Sequence, residues 1–328
     1  MISESFNFSP DLLKKLRILE VGYTEDSLAS SFNRFEKWVL DKKNAELKYL
    51  EDGRMVMRED IKKYFPEFKS AFVFLFDYSV EKINLEQHYQ RDSSNGFKVG
   101  SYTMYEGGID YHLSIRKKLE ELSRPIKEKY PATKIVFSLD TQPILERDLA
   151  YRAGLGWFGR NSMLINRHQG SFFLIGAILS DQIFSFPIKI IETDHCGSCQ
   201  ACVDACPTQA IDFNTRTVDS SLCVPNFTIE QFTDSKEPPT GYSTMSEIFG
   251  CDICQDVCPW NRRVLNKKEN LIDESTSSIV EFFLSQDRDS MAQELLKMSK
   301  KGYRRKFKNT SFERTGRDGL LKNLKYKK

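Results

Sequence analysis

Hydrophobic and polar positions alternate over the first 185 residues in blocks that predict helices and strands in turn. Asp11–Glu20 reads as a short amphipathic helix. Thr24 is placed to cap a second one carrying Leu28, Phe32, Phe35, Trp38 and Val39, so that residues 11–50 read as helical. The run A-F-V-F-L-F at Ala71–Phe76 follows Pro66 and has no polar member, which predicts a strand buried on both faces. Between Glu81 and Gly108 the chain is polar and broken by glycines, a pattern that predicts a loop over a site. Helical periodicity returns over Asp110–Lys129, with Leu113, Leu119 and Leu122 on one face. K-I-V-F-S-L (Lys134–Leu139) predicts a second strand ending at Asp140. Ile144–Ala153 predicts a helix stopped by Gly154, glycine being favoured just past a helix end. Ser162–Asn166 and Ser171–Leu179 predict a hairpin around R-H-Q-G (Arg167–Gly170). The mixture indicates an α/β (α+β) domain.

The totals are those of an ordinary globular protein: 328 residues, 40% hydrophobic and 29% charged, enough for one large domain and a smaller one. No apolar run approaches the ~20 residues of a membrane helix. The start M-I-S-E-S-F-N-F-S-P lacks the basic and apolar regions of an export signal, which points to the cytoplasm and to no membrane partner. The net charge of +2 conceals an asymmetry. Lys300–Lys328 carries twelve Lys or Arg against Glu313 and Asp318, a net +10 that leaves the other 299 residues at −8. Interleaved with Tyr303, Phe307, Phe312 and Tyr326, such a tail suits a phosphate backbone; taken alone, it equally suits a solvated terminus.

The sharpest chemistry lies in the cysteines. All eight fall between His195 and Asn261. Cys196, Cys199, Cys202 and Cys206 read C-x2-C-x2-C-x3-C-P, the spacing of a [4Fe-4S] site in which the fourth cysteine serves a different cluster. Cys251, Cys254 and Cys258 repeat C-x2-C-x3-C-P with one early cysteine missing, and Cys223 remains to replace it. One cubane then takes Cys196, Cys199, Cys202 and Cys258, the other Cys206, Cys223, Cys251 and Cys254, with none left over. Disulfides would need an oxidising compartment, and zinc favours two separated C-x2-C pairs.

Other motifs are weaker. G-L-G-W-F-G (Gly154–Gly159) matches G-x-G-x-x-G, but a predicted helix precedes it and a strand follows, the reverse of a dinucleotide site. Close backbone packing or approach to a flat cofactor is the better use of these glycines. Asp140, between a strand and a helix, is placed either to cap that helix or to act as a general acid. His88, His112, His168 and His195 form no metal-binding pair, and His112, beside Asp110 and Tyr111, is the one best placed to face a site.

Taken together, D-Y-H (Asp110–His112), L-D-T-Q-P-I-L-E-R (Leu139–Arg147), A-G-L-G-W-F-G-R-N (Ala153–Asn161), G-S-F-F-L-I-G (Gly170–Gly176) and the two cysteine runs resemble the epoxyqueuosine reductase family over roughly residues 50–325. The resemblance implies a corrinoid-binding α/β domain of nitroreductase-like character at 1–185. It also implies a two-[4Fe-4S] ferredoxin-like domain at 186–262, here followed by a basic helical extension at 263–328 suited to tRNA contact. It implies cobalamin beside the clusters, the tRNA anticodon stem-loop as substrate, and a low-potential donor such as ferredoxin or flavodoxin acting on a monomer. Asp140 matches the family's proton donor. Arg58, Tyr102, Asp140, Asn161 and Ser171 fall in segments expected to contact the corrin. Two departures stand out. Arg160 replaces an expected lysine, and C-V-P-N-F-T-I-E (Cys223–Glu230) lacks the family's Ser-Tyr pair, which puts substrate contacts there in doubt. A corrinoid reductase of a small molecule, such as an organohalide, or a ferredoxin-like electron carrier would share parts of this pattern. The basic tail and the large glycine-containing first domain argue against both.

Overall fold

The computed structural model describes residues 5–91, 97–232, 236–268, 282–283 and 285–327. The chain packs as two compact units that do not follow its order. One comprises residues 1–42, 48–77 and 112–198; the other comprises 43–47, 78–111 and 199–328.

The first unit is built on a four-stranded sheet of β1 (Ile18–Thr24), β2 (Ser70–Asp77), β3 (Ile135–Ser138) and β4 (Phe173–Ser180). Its spatial order is β1-β2-β4-β3, and every pairing is antiparallel. Each residue of β2 is buried, as its unbroken apolar run demands. One face packs on Ile61, Phe65, Phe68, Leu149, Ala153 and Leu155. Against the other lie the rings of Phe6, Phe8, Tyr23, Phe184 and Phe186, gathered around Phe72 at centroid distances of 4.9–5.4 Å. The Tyr111–Lys129 helix presses on this sheet at Gly176, where an added Cβ would lie 2.9 Å from Phe76 and 3.0 Å from Ile115. The buried stripe of that helix is Ile115, Leu119, Leu122 and Ile126; Leu113 lies off the stripe and is exposed.

Several local expectations are corrected. The first helix ends at Lys15, Arg17 turns at φ 58°, and Ile18–Thr24 leaves the helical pattern to become an edge strand. Six residues that gain a ladder with β2 outweigh a weak helical periodicity. Thr24 therefore caps no helix. Its hydroxyl accepts from Asp26 N, and the next helix, Phe32–Leu40, starts after Ser31. Ser30 Oγ and Ser31 N both donate to buried Asp148, which also receives Arg152 Nε at 2.6 Å. The expected hairpin closes only at its tip, the Asn166–Gly170 bridge. Beyond it Leu164–Ile165 pairs with Trp157–Phe158, while β4 joins the main sheet.

In the second unit, the predicted loop at 81–108 begins as a helix, Ser79–Arg91. It was hidden because Lys82, on its inner face, is buried with Ile83 and Leu85. The core of this unit is aromatic: Phe249, Phe282, Phe283, Tyr303, Phe307 and Phe312 pack with Leu295, Leu320 and Leu324. The basic tail is thus folded into the Lys300–Lys306 and Phe312–Lys325 helices, and three of its four aromatics are core residues unable to stack on bases. No described helix is long and apolar enough to cross a membrane.

Gly156 is the tightest backbone contact of the glycine run. Its φ is 155°, and an added Cβ would lie 2.2 Å from Ile165 O. Gly156→Ala should therefore cost on the order of 2–3 kcal/mol, read as a lower urea midpoint, because neither contact atom is a movable side chain.

Candidate functional site

The residues that follow β3 form a strained turn. Asp140 has φ 57°, Leu139 N donates to Gln142 Oε1 at 2.8 Å, and Thr141 N donates to Leu139 O at 2.6 Å. The next helix begins only at Glu146, with Leu145 at its cap, so Asp140 is not a helix cap. Its carboxylate is exposed, and Oδ2 lies 3.4 Å from Nε2 of His112 at the start of the Tyr111–Lys129 helix. A second acid stands behind it. Glu146 accepts from Ser138 Oγ at 3.0 Å and from the backbone N–H of Asp140. Burial, reinforced by the charge of Asp140, pushes its carboxyl up to about 8. Arg147, next in sequence, donates to Ser162 O. Both residues lie inside the quoted L-D-T-Q-P-I-L-E-R run; the motif contained them, but only the fold turns them toward Asp140.

The expected corrin contacts divide between the units. Arg58 is buried, and burial lowers its pKa. One Nη reaches Tyr49 O at 3.4 Å, the guanidinium lies 5.9 Å from the Phe35 ring centre, and Nη1 has no partner among the described residues. Such an orphaned cationic donor fits a cofactor rich in amide and phosphate acceptors. Asn161 is buried and accepts from Met163 N, which gives it a turn-forming role. Ser171 is buried just before β4. Tyr102 belongs to the second unit, edge-on to Tyr111 at 6.0 Å.

In the second unit, Cys223 shares its surroundings with Cys206 and Cys251, and Cys254 with Cys251, Cys223 and Cys202. Burial and these neighbouring sulfurs push the Cys223 thiol up to about 12 and raise Cys251 and Cys254 as well. Thiols so placed ionise together only when a cationic centre joins them, which is the donor chemistry of an iron–sulfur cluster. Cys258 is buried, Cys199 exposed and the others intermediate. Cys206 Sγ accepts from Ala210 N at 3.3 Å. The segment bearing Cys251, Cys254 and Cys258 is tied down by Lys82. Its ammonium lies 2.6 Å from Asp256, 3.6 Å from Asp252 and 2.7 Å from Glu86, while Asp252 also accepts from Ser101 N. No sequence motif announced Lys82. Of the two departures, Arg160 donates to Gly197 O at 2.6 Å, inside the first cysteine run. Asn226 is buried, with neither amide atom hydrogen-bonded among the described residues.

An α/β unit with a strained acidic turn, joined to a run of eight cysteines in ferredoxin spacing, defines an iron–sulfur oxidoreductase. Residues 195–261 match the family described as a 4Fe-4S double cluster binding domain, and residues 58–141 match the one described as epoxyqueuosine reductase QueG. An epoxyqueuosine reductase of Cyclobacterium marinum is 33% identical over 299 residues, 90% of this chain and 87% of that protein. The chain belongs to the epoxyqueuosine reductase family. The fold is similar to that of epoxyqueuosine reductase from Streptococcus thermophilus, with a TM-score of 0.76 at 21% identity over 96% of this chain and 78% of that one. It is also similar to an epoxyqueuosine reductase solved with an epoxyqueuosine-modified tRNA stem loop, with a TM-score of 0.69 at 22% identity over 96% and 78% of the two chains.

Glu146 sets a pH dependence of stability. Its carboxyl titrates near 4.5 when unfolded and near 8 when folded. Between these values the unfolded chain loses the proton first, so stability from this group falls as pH rises from 4.5 to 8 and is flat above. Glu146→Gln should remove that slope, leaving urea midpoints little changed at pH 4.5 and raised at pH 8.

Proposed function

We propose that this oxidoreductase removes the epoxide oxygen of epoxyqueuosine at the wobble position of tRNA, giving queuosine. The observation that carries the reading is the 33% identity to an epoxyqueuosine reductase across nine-tenths of the chain, the cysteine runs included. The conversion consumes two electrons and two protons and releases water. When bound, cobalamin supplies a low-potential nucleophilic metal and the two [4Fe-4S] clusters the single electrons that reduce it.

The chain's own residues do the rest. Cys196, Cys199, Cys202 and Cys258 hold one cluster; Cys206, Cys223, Cys251 and Cys254 hold the other. Arg58 offers its unpartnered Nη1 to an acceptor on the corrin periphery, and Asn161 and Ser171 border the same cofactor. Asp140 donates a proton to the epoxide oxygen, and His112, 3.4 Å away, steadies the carboxylate that remains. Glu146 holds the Asp140 N–H and so keeps the turn in its left-handed form.

Along the chain, 1–185 is the corrinoid-binding segment, of nitroreductase-like character, although 43–47 and 78–111 pack in the second unit; 186–262 is the two-cluster segment and 263–328 a basic extension. In that extension Lys301, Arg304, Arg305 and Lys308 are exposed and suit the phosphates of an anticodon stem-loop. The protein works in the cytoplasm as a monomer and draws electrons from a ferredoxin or flavodoxin.

Anaerobic reconstitution with iron, sulfide and cobalamin, then reduction with epoxyqueuosine tRNA, should give nucleosides lacking one oxygen by mass spectrometry. Retention of the oxygen with both cofactors bound would overturn the substrate. Asp140→Asn should keep eight irons and bound corrin yet lose turnover by at least ~100-fold; full activity would remove its role. Replacing Arg304, Arg305 and Lys308 together with Gln should weaken tRNA binding and lower the slope of log affinity against log salt by about 2–3.

A further inference from the structure

The end of the chain carries cations that face inward. Lys322 and Lys327 are only 4% and 3% exposed, and Asn323 is fully buried. Asn323 Nδ2 donates to Thr228 O and to Ile248 O, both at 2.9 Å, and its own carbonyl accepts from Tyr242 OH at 3.2 Å. Lys322 Nζ donates to Phe227 O and sits 3.7 Å from the centre of that ring. Lys327 Nζ donates to Tyr242 O at 2.8 Å and Met245 O at 3.0 Å, 3.3 Å from the Tyr242 ring centre. Buried ammonium groups are ordinarily matched by carboxylates. Here carbonyl oxygens and aromatic faces also take part, with the Glu247 carboxylate acting on Lys327.

The carbonyls they collect belong to two segments, Phe227–Thr228 and Tyr242–Ile248. The first follows Cys223 and the second leads to Cys251. The segments share no strand pairing with one another, since Glu247–Phe249 pairs with Lys98–Val99. Among the described residues they meet directly in two ways: the Phe227 and Tyr242 rings pack edge-to-face at 5.0 Å, and the Thr228 hydroxyl donates to Val224 O and accepts from Gly250 N at 3.1 Å. Asn323 adds hydrogen bonds to both segments at once. We propose that Lys322, Asn323 and Lys327 are positioning residues for the second cluster, clamping the segments of Cys223 and Cys251 at the spacing one cubane requires. This rests on the ligand assignment above. It also withdraws Lys322 and Lys327 from any phosphate-binding role.

The test is iron and acid-labile sulfide per chain after anaerobic reconstitution, with electron paramagnetic resonance of the reduced protein. Cys223→Ser serves as the reference for loss of the second cluster. Asn323→Leu and, separately, Lys327→Met should fall from eight irons to about four, with the spectrum of one isolated cluster matching Cys223→Ser. Lys327→Arg, which keeps donors and charge, should retain most of the eight. If Cys223→Ser itself keeps eight irons, the ligand assignment fails. If it drops to four while Asn323→Leu and Lys327→Met keep eight, the clamp is refuted. Loss of both clusters in both variants would equally refute it, marking these side chains as supports of the whole unit. Eight irons with weakened tRNA binding in Lys327→Met would return that lysine to the nucleic acid.

Discussion

The first unit depends on the burial of a single strand. Every residue of β2 is out of water, so both of its edges must be hydrogen-bonded, to β1 on one side and β4 on the other. β4 in turn carries β3 in register, Ser138 opposite Ala177. The position at which the chain leaves β3 is therefore fixed from the centre of the sheet outward. That exit is the Asp140 turn. A left-handed aspartate is costly, and the sheet edge, the Gln142 side chain and the Glu146 carboxyl together hold it there.

Charge is handled differently in the two units. Around Asp140, two carboxyl groups lie close together, and the half-buried one keeps its proton into the neutral range while the exposed one faces His112. Around the cysteines the difficulty is sulfurs brought close together, desolvation and neighbouring thiols raising Cys223, Cys251 and Cys254. The protein frames that region with buried cations in two ways. Lys82 is matched by three carboxylates, two of them beside cluster cysteines. Lys322 and Lys327 bond to carbonyl groups, and Glu247 acts on Lys327.

Legibility followed the same physics. The apolar run Ala71–Phe76 could be read directly, because a strand buried on both faces has no polar positions to confuse it. Lys134–Leu139 and the helix before Gly154 were similarly plain. β1 was missed because an edge strand's stability comes from its neighbour, which no local period records. The Ser79–Arg91 helix was missed because a lysine on its inner face reads as solvent-exposed until its three carboxylates are known. The tail aromatics were misjudged for the opposite reason: alternation with lysine looked like a nucleic-acid surface, whereas Tyr303, Phe307 and Phe312 fill a core.

By itself the sequence determined the redox chemistry. Cysteine spacing is a covalent property of a local chain, and eight thiols at those intervals express a donor set before any folding. It also determined the family, through short motifs that carry resemblance without needing geometry. Only the tertiary structure decided what surrounds those groups: Glu146 against the Asp140 turn, a buried Arg58 whose Nη1 has no partner among the described residues, Lys82 paired with acids of the second cysteine run, and a C-terminal helix turned inward. Such pairings join residues up to 174 positions apart in the chain. Their free energy comes from desolvation, and desolvation exists only once the chain has closed around them.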